Sequence, residues 1–237
     1  MSESPVTIVI PARGGSKRIP RKNIKPFLGV PLLARTIALL RELPLAARIL
    51  VSTDDDEIAD IAKTAGAEVP FRRPADLAND EASTVPVIRH AVEYLQHEGQ
   101  AVEVVCAVYP AAVLLDPPLL VEAIATLERD PDLDYVLPVT TFGSPIQRAL
   151  RRTPQQRMVM FQPEHYESRS QELEPAYHDA GQFYVGRASS WLSERPLFGA
   201  RSGSVLVPRW RVQDIDTPED WVRAEQIATL LQRDGQP

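Results

Sequence analysis

Cysteine is almost absent: Cys106 is the only one in 237 residues. A single thiol cannot close an internal disulfide, which fits a reducing compartment. Its place in the apolar run Val104 to Tyr109 makes it a core residue. No hydrophobic stretch reaches the roughly 20 residues that a membrane span needs. The opening residues, MSESPVTIVI, carry no basic segment ahead of their short apolar run. No signal peptide is therefore expected, and the cytoplasm is the expected location. Positive charge is also in short supply, with 26 Lys and Arg against 32 Asp and Glu, net −6. That balance argues against nucleic acid as the main partner, which needs an extended basic face. Internal repeats, low-complexity linkers, a Walker A ending and a G-x-G-x-x-G fingerprint are all missing.

What positive charge there is gathers in one place. The apolar run Val6 to Ile10 reads as a buried strand, and Pro11-Ala12-Arg13-Gly14-Gly15-Ser16-Lys17-Arg18-Ile19-Pro20-Arg21-Lys22-Asn23 follows it. Six basic residues and no acidic one lie between Arg13 and Lys25; the rest of the chain has 20 basic against 32 acidic residues. A concentrated positive loop on an acidic protein suits a polyanionic ligand. Glycine lets the backbone approach phosphate oxygens, and backbone N–H groups with Lys and Arg supply the counter-charge. A loop leaving a strand is where α/β proteins bind phosphate. An exposed basic loop with no ligand is the plain alternative.

Downstream, strands alternate with helices. Pro31 opens a helix with Leu33, Ile37 and Leu40 on one face. Ile49 to Val51 form a second strand. The next helix sets Ile58, Ile61, Ala62 and Ala65 at i, i+3, i+4 and i+7, with Gly66 as its C′ residue. Thr84 starts a helix burying Ile88, Ala91, Val92 and Leu95. Glu103 to Tyr109 is the most hydrophobic strand and is expected at the sheet centre. Asp116-Pro117 is expected to cap and begin a helix through Ile124 and Leu127, and Tyr135 to Val139 is the next strand. This rhythm predicts a single α/β domain, residues 1–237, built on a mostly parallel sheet. From about Gly143 to Gly186 it breaks into polar residues alternating with aromatics, the pattern of an inserted lobe. Val205 to Val207 resumes the strands, and Thr217-Pro218-Glu219-Asp220 begins a last helix docked by Trp221, Ala224, Ala228 and Leu231.

Just before that helix, Asp214 and Asp216 stand two apart in an extended segment, so both carboxylates point to one face. One cation between them relieves their repulsion, and Mg²⁺ favours one or two carboxylates completed by water and phosphate oxygens. Helix capping is the alternative use, weakened because Thr217 and Pro218 already supply a cap. Asp54-Asp55-Asp56 is a rival acidic cluster, but its place ahead of a helix favours capping.

Arg13-Gly14-Gly15-Ser16-Lys17 with Lys22-Asn23, then Arg73-Pro74-Ala75-Asp76-Leu77-Ala78-Asn79-Asp80-Glu81-Ala82-Ser83-Thr84, then Asp214-Ile215-Asp216-Thr217, resemble the acylneuraminate cytidylyltransferases over nearly the whole chain. Pro145 to Ala149, Arg169 to Leu173 and Tyr177 to Tyr184 look most like the pseudaminic acid branch of that family. The resemblance implies a Rossmann-like fold of the nucleotide-diphospho-sugar transferase type, with 143–186 as a small dimerisation and sugar-binding lobe of a homodimer. It implies CTP and a nonulosonic acid as substrates: the C2 hydroxyl of the sugar acid attacks the α-phosphorus and pyrophosphate leaves. Arg13, Gly15, Ser16, Lys17, Lys22 and Asn23 match the triphosphate loop, and Arg73, Ala82 and Thr84 match positions that read cytosine. Asp214 and Asp216 match a Mg²⁺ pair, and Arg13, Lys22 and Asp214 take the catalytic places. Tyr109, Gln147, Arg169, Asp179, Gln182 and Tyr184 fall to the sugar.

Two departures touch the sugar alone. Tyr109-Pro110-Ala111-Ala112-Val113 replaces the Gln-Pro-Thr-Ser-Pro of sialic acid enzymes, and Gln147 stands where Lys is common. Both favour a differently substituted sugar, pseudaminic acid, over N-acetylneuraminic or legionaminic acid. A non-catalytic nucleotide-binding module is the alternative of another class, against which the intact loop and both aspartates speak. RNA binding through the basic loop lacks an aromatic series on which bases could stack.

Overall fold

The computed structural model describes residues 6–45 and 47–233; Met1 to Pro5, on which the expectation about the N-terminus partly rests, lie outside it. Five of the first strand's six residues are β-branched, and its four central residues are wholly or nearly wholly buried, so β1 (Val6–Pro11) sits inside a sheet. The basic loop then passes through a two-residue hairpin, β2 (Pro26–Phe27) and β3 (Val30–Pro31), into α1 (Leu32–Arg41). β4 (Ala47–Ser52) and α2 (Asp56–Thr64) follow, with Gly66 at φ 93° closing the helix as its spacing predicts. α3 (Thr84–His97), β5 (Val104–Val108), α4 (Pro117–Arg129) and β6 (Tyr135–Thr141) complete the alternating part.

The first five sheet strands in space read β4, β1, β5, then an intruder, then β6. β1 pairs in parallel with β4 and with β5, which is interior as its unbroken hydrophobicity requires. The intruder comes from the segment read as a lobe. Of residues 143–186, only the first part leaves the sheet, as 3-10 turns and a small hairpin of β7 (Leu150–Arg152) and β8 (Met158–Met160). The chain then returns through β9 (Tyr177–Asp179), antiparallel to the end of β6. β10 (Phe183–Arg187) is wedged antiparallel between β5 and β6. The lobe expected to extend to Gly186 therefore ends before Tyr177, and its last residues are core. α5 (Ala188–Leu192) and β11 (Ser202–Leu206), parallel to β6, lead to α6 (Pro218–Arg233).

Helices cover both faces. On one, α1, α2 and α4 pack Leu33, Ile37, Ile58, Ala62, Leu120 and Leu127 against Ile8, Ile10 and Val108. On the other, α3 and α5 bring Ile88, Val92 and Trp191 onto Val9, Val105, Tyr135 and Tyr184. A third cluster matters most for function: α6 docks Trp221, Ala224 and Ala228 onto Ile19, Phe27 and Ile215. That contact ties the basic loop to the aspartate segment. Asp116 departs from expectation, because its side chain makes no cap and instead lies 3.6 Å from the buried Arg211. Among the described residues no helix is long and apolar enough to cross a membrane.

Candidate active site

Strand ends of β1 and β5 and the start of α3 frame a cleft of about 240 Å³, at the carboxyl ends of parallel strands where open α/β sheets bind ligands. The basic loop forms one wall and is held by its backbone. The Ala12 N–H donates to the Ser52 carbonyl (2.9 Å) and the Gly14 N–H to Asp54 Oδ1 (3.0 Å). Asn23, buried, donates its amide to the Arg13 carbonyl (2.9 Å). Glycine is required at 14, because a Cβ there would lie 2.7 Å from Asp55 Oδ2. At the exposed Gly15 nothing stands within 4 Å of that position, so its freedom faces solvent.

Four of the loop's six cations line the cleft: Arg13, Lys17, Arg18 and Lys22. The other two turn away. Arg21, in the left-handed region at φ 57°, pairs with Asp55 (2.5 Å) and Glu57, while Lys25 sits 4.6 Å over the Trp221 ring. Asp55 is the N-cap of α2, accepting from the Ile58 N–H (3.0 Å), so the Asp54 to Asp56 cluster serves the helix and the loop backbone. Each cleft cation has an acidic neighbour. Asp80 takes Arg13 at 2.6 Å and also Lys17; these two cations, Lys17 foremost, hold its carboxyl below the usual range. Asp216 takes Arg18 at 2.5 Å and Lys22 at 3.7 Å, and Lys22 also donates to the Ile215 carbonyl (2.7 Å). A bound triphosphate can replace these carboxylates as the counter-charge.

Of the aspartate pair, Asp216 lines the cleft and Asp214, an exposed residue, does not. Ile215 is fully buried, so its neighbours on either side turn outward, Asp216 into the cleft. Neither serves as a cap. Thr217 Oγ1 accepts from the Asp220 N–H (3.2 Å) and Asp220 Oδ2 accepts from the Thr217 N–H (2.8 Å), a reciprocal box that starts α6 by itself. Although Asp214 is exposed as a residue, desolvation of its carboxyl by the surrounding chain raises it above the usual range, the Asp216 charge adds to this, and Lys22 partly offsets it. Among the described residues no group of three His, Cys, Asp or Glu is placed to hold a metal, so a hard divalent cation here would take these two carboxylates, Asp216 giving up its cation partners, and complete its shell with ligand oxygens.

The far end of the cleft is lined by Arg73, Ala82, Thr84 and Tyr109. Arg73 lies buried along β4, donating to Ser52 Oγ (3.1 Å) and the Ser52 carbonyl. Burial pushes its pKa down to about 10, Asp54 opposing and Arg13 assisting, so it stays charged near neutrality. Asn79 Oδ1 accepts from the N–H groups of Glu81 (2.9 Å) and Ala82 (2.8 Å). Thr84 and Tyr109 share a hydrogen bond of 2.5 Å between hydroxyls. Behind Tyr109 stands Tyr184, ring centroids 5.7 Å apart and edge to face, and its hydroxyl donates to Asp179.

Of the residues expected at a sugar, the structure thus brings Tyr109, Tyr184 and Asp179 together. Gln182 is buried beneath them, donating its side-chain amide to the Arg211 carbonyl (2.7 Å) while its backbone carbonyl takes the Tyr109 N–H (2.9 Å). Gln147 and Arg169 do not line this cleft. Gln147 is bonded to the Glu174 carbonyl (2.8 Å) within the lobe, and Arg169 is exposed at a 3-10 turn there. Sequence reasoning did not single out Arg18, which lines the cleft, or Asp80, which pairs with the cleft residues Arg13 and Lys17, although both lie inside the motifs it used.

The family model for cytidylyltransferases matches residues 7–202. A pseudaminic acid cytidylyltransferase of Campylobacter jejuni is 42% identical over 90% of this chain and 91% of its own length. The CMP-N,N'-diacetyllegionaminic acid synthase of Legionella pneumophila is 30% identical over 96% of this chain and 97% of its own. Among solved structures, a CMP:2-keto-3-deoxy-manno-octonic acid synthetase complexed with CTP superimposes with a TM-score of 0.67 at 18% identity, covering 98% of this chain and 100% of that one. A 4-diphosphocytidyl-2C-methyl-D-erythritol synthase of Anaerococcus prevotii does so at 0.63 and 13%, covering 97% of each chain. These two share the fold, a mostly parallel sheet between helices. With a basic loop, an acidic pair and a family match over most of its length, the chain belongs to the cytidylyltransferase family and is a CTP-dependent nucleotidyltransferase.

Proposed function

We propose that this enzyme transfers CMP from CTP to the C2 hydroxyl of a nonulosonic acid, pseudaminic acid, with release of pyrophosphate. The observation that carries the reaction is the meeting, in one cleft, of four cations, Arg73, Thr84 and Asp216, with the base taken to lie at the Arg73 and Thr84 end. The sugar oxygen bonds to the α-phosphorus, the bond from that phosphorus to the bridging oxygen breaks, and the hydroxyl proton leaves to a base. Arg13 and Lys22 neutralise charge growing on the departing pyrophosphate, with Ser16 and Lys17 beside them. Gly15 presents backbone, and Asn23 keeps the Arg13 carbonyl in place. A Mg²⁺ ion at Asp214 and Asp216, when bound, supplies further charge neutralisation at the phosphates.

Pseudaminic acid is favoured by the 42% identity to an enzyme named for it, against 30% to one named for a legionaminic acid derivative. N-acetylneuraminic and legionaminic acids are the runners-up. A homodimer completes the site in this proposal. The lobe exposes Ile146, Leu150, Met158, Phe161 and Tyr166, an apolar surface costly to leave in water. Gln147 and Arg169 lie on that lobe, outside their own chain's cleft, and would reach the neighbour's sugar. The single, fully buried Cys106 suits a cytoplasmic setting, where CTP is available.

The test offers CTP and Mg²⁺ with a panel of nonulosonic acids and identifies products by mass spectrometry. A CMP adduct of pseudaminic acid, formed at least tenfold more efficiently than that of N-acetylneuraminic acid, is expected. Equal efficiency on both refutes the sugar assignment, and no pyrophosphate release with any of them refutes the proposed reaction.

A further inference from the structure

Asp214 and Asp216 stand on a stretch that the sheet does not hold. Residues 212–216 belong to no strand, so no ladder of backbone bonds sets their place. Side chains anchor it instead. Downstream, Lys22 donates to the Ile215 carbonyl (2.7 Å) and Asp220 Oδ2 accepts from the Asp216 N–H (3.2 Å), while Ile215 is fully buried in the third cluster. Upstream, the 3-10 turn Arg209–Arg211 leads into the stretch, and Gln182 donates its side-chain amide to the Arg211 carbonyl (2.7 Å). Arg211 is held a second time through its buried side chain, 3.6 Å from Asp116.

Gln182 is itself well fixed. Its backbone carbonyl takes the Tyr109 N–H (2.9 Å) just past the end of β5. The corner before it is closed by Asp179, whose Oδ1 accepts from the Gly181 N–H (2.9 Å), with Gly181 at φ 65°. One residue therefore joins the strand end that carries Tyr109 to the stretch that carries the aspartates.

As a mere filler of the core, an amide is a poor choice here. Gln182 is 5% exposed, and its Oε1 is buried with no hydrogen-bond partner among the described residues. A buried acceptor left unbonded costs stability, and methionine, similar in volume, would fill the space without that cost. What the amide alone supplies is the donor to Arg211. Gln182 does not line the cleft, so a sugar contact does not account for it either. Asp214 is only three residues beyond Arg211, too short a reach for the chain to absorb a shift at its anchor.

We propose that Gln182 is a positioning residue for the metal site: its amide holds the Arg211 carbonyl so that Asp214 and Asp216 meet a divalent cation in one fixed arrangement. This deepens the proposed function and rests on its metal reading of the two aspartates.

Calorimetric titration of CTP without sugar, once in Mg²⁺ and once in EDTA, reads the metal's share of binding on the intact protein. The wild type binds at least about tenfold tighter in Mg²⁺, because the cation joins the aspartates to the phosphates. In Gln182→Met that advantage shrinks to about twofold or less, since partners that orient metal-holding groups are worth about 10–100-fold in metal affinity. Binding in EDTA, carried by Arg13, Lys17 and Lys22, keeps its wild-type strength. With pseudaminic acid present, kcat of the variant falls at least about tenfold while the sugar KM stays within about threefold. Gln182→Asn, one methylene short of the Arg211 carbonyl, moves the ratio the same way and decides the matter if Gln182→Met melts below the assay temperature. Equal weakening in Mg²⁺ and in EDTA marks a loosened site and overturns the inference. So does an unchanged ratio with a raised sugar KM, the signature of a sugar contact. A wild type that binds CTP equally in both media refutes the metal reading and this inference with it, and one that binds no CTP refutes the proposed function. A wild type with the Mg²⁺ advantage, unchanged in the variants, overturns the role of Gln182 alone.

Discussion

Replacing Asp216 by Asn separates a metal-holding role from a structural one, because the two roles differ in what they leave intact. The carboxylate pairs with Arg18 at 2.5 Å and Lys22 at 3.7 Å, but the Arg18 side chain is 70% exposed. An ion pair so open to solvent contributes about 0.2–1 kcal/mol. Lys22 keeps its bond to the Ile215 carbonyl at 2.7 Å, and α6 keeps its Thr217–Asp220 box. In a chain of this length about 1 kcal/mol corresponds to about 2–4 °C, so the melting temperature should fall by no more than about 4 °C. Turnover should behave otherwise. A divalent cation on phosphate oxygens is worth several kcal/mol in the transition state; at about 4 kcal/mol the rate falls roughly a thousandfold. The loss should lie mainly in kcat, with a weakened dependence on Mg²⁺. Asp214→Asn removes a carboxyl whose pKa is raised by burial and by Asp216, so it should leave the melting temperature unchanged or higher. Pyrophosphate release across a Mg²⁺ titration, alongside thermal melts of both variants, provides the two measurements. Turnover within tenfold of wild type, with a melting temperature lowered by more than about 8 °C, would refute the metal assignment.

Away from the cleft, Asp134 is 5% exposed and accepts from Ser190 (2.8 Å), Arg195 (2.5 Å) and Arg201 (2.9 Å). Burial acts to raise its pKa, but these partners reverse the effect and hold it below the usual carboxylate range. Its stabilisation is therefore complete above the unfolded pKa of about 4 and is lost as pH falls through the lower folded value. Asp134→Asn should cost about 1.5–3 kcal/mol at pH 7 and progressively less below about pH 4; an equal cost at both would contradict the assignment. Gly186→Ala puts a Cβ 2.5 Å from the Tyr135 ring and 2.7 Å from Trp191 Nε1, both fully buried, so overpacking should cost about 1–3 kcal/mol in denaturant melts. For the proposed dimer, Met158→Glu with Phe161→Glu should shift sedimentation toward the monomer and lower activity without lowering the melting temperature of the monomer; an active wild-type monomer at assay concentration would count against it.

Local signals were legible in the residues themselves. The 3.6-residue spacing of Ile58 and Ala62, and of Ile88, Ala91, Val92 and Leu95, marked helices and their buried faces, since each face depends only on near neighbours. Thr217 to Asp220 announced the start of α6, and the cation-rich loop after β1 announced a site for a polyanion. Alternation of strands and helices fixed the parallel part of the sheet. The position of β10 was beyond reach. Four apolar or small residues at 183–186, followed by Arg187, read alike in a lobe hairpin and at a sheet centre. Only competition among β5, β6 and β10 for backbone partners, residues far apart in sequence, puts it between them. Side-chain destinations were equally non-local. Arg18 and Arg21 are three residues apart in one basic run, yet the left-handed backbone at Arg21 and the acids at the head of α2 turn one away while the other meets Asp216. Asp116 had a cap's position but found Arg211 instead. Gln147 and Arg169 carried the right chemistry on a segment that leaves its own cleft. Composition and spacing therefore settled which chemistry the chain holds and which strands and helices present it. Packing between distant segments settled which of those groups share one cavity, because burial and hydrogen-bond satisfaction are decided only when the chain has closed on itself.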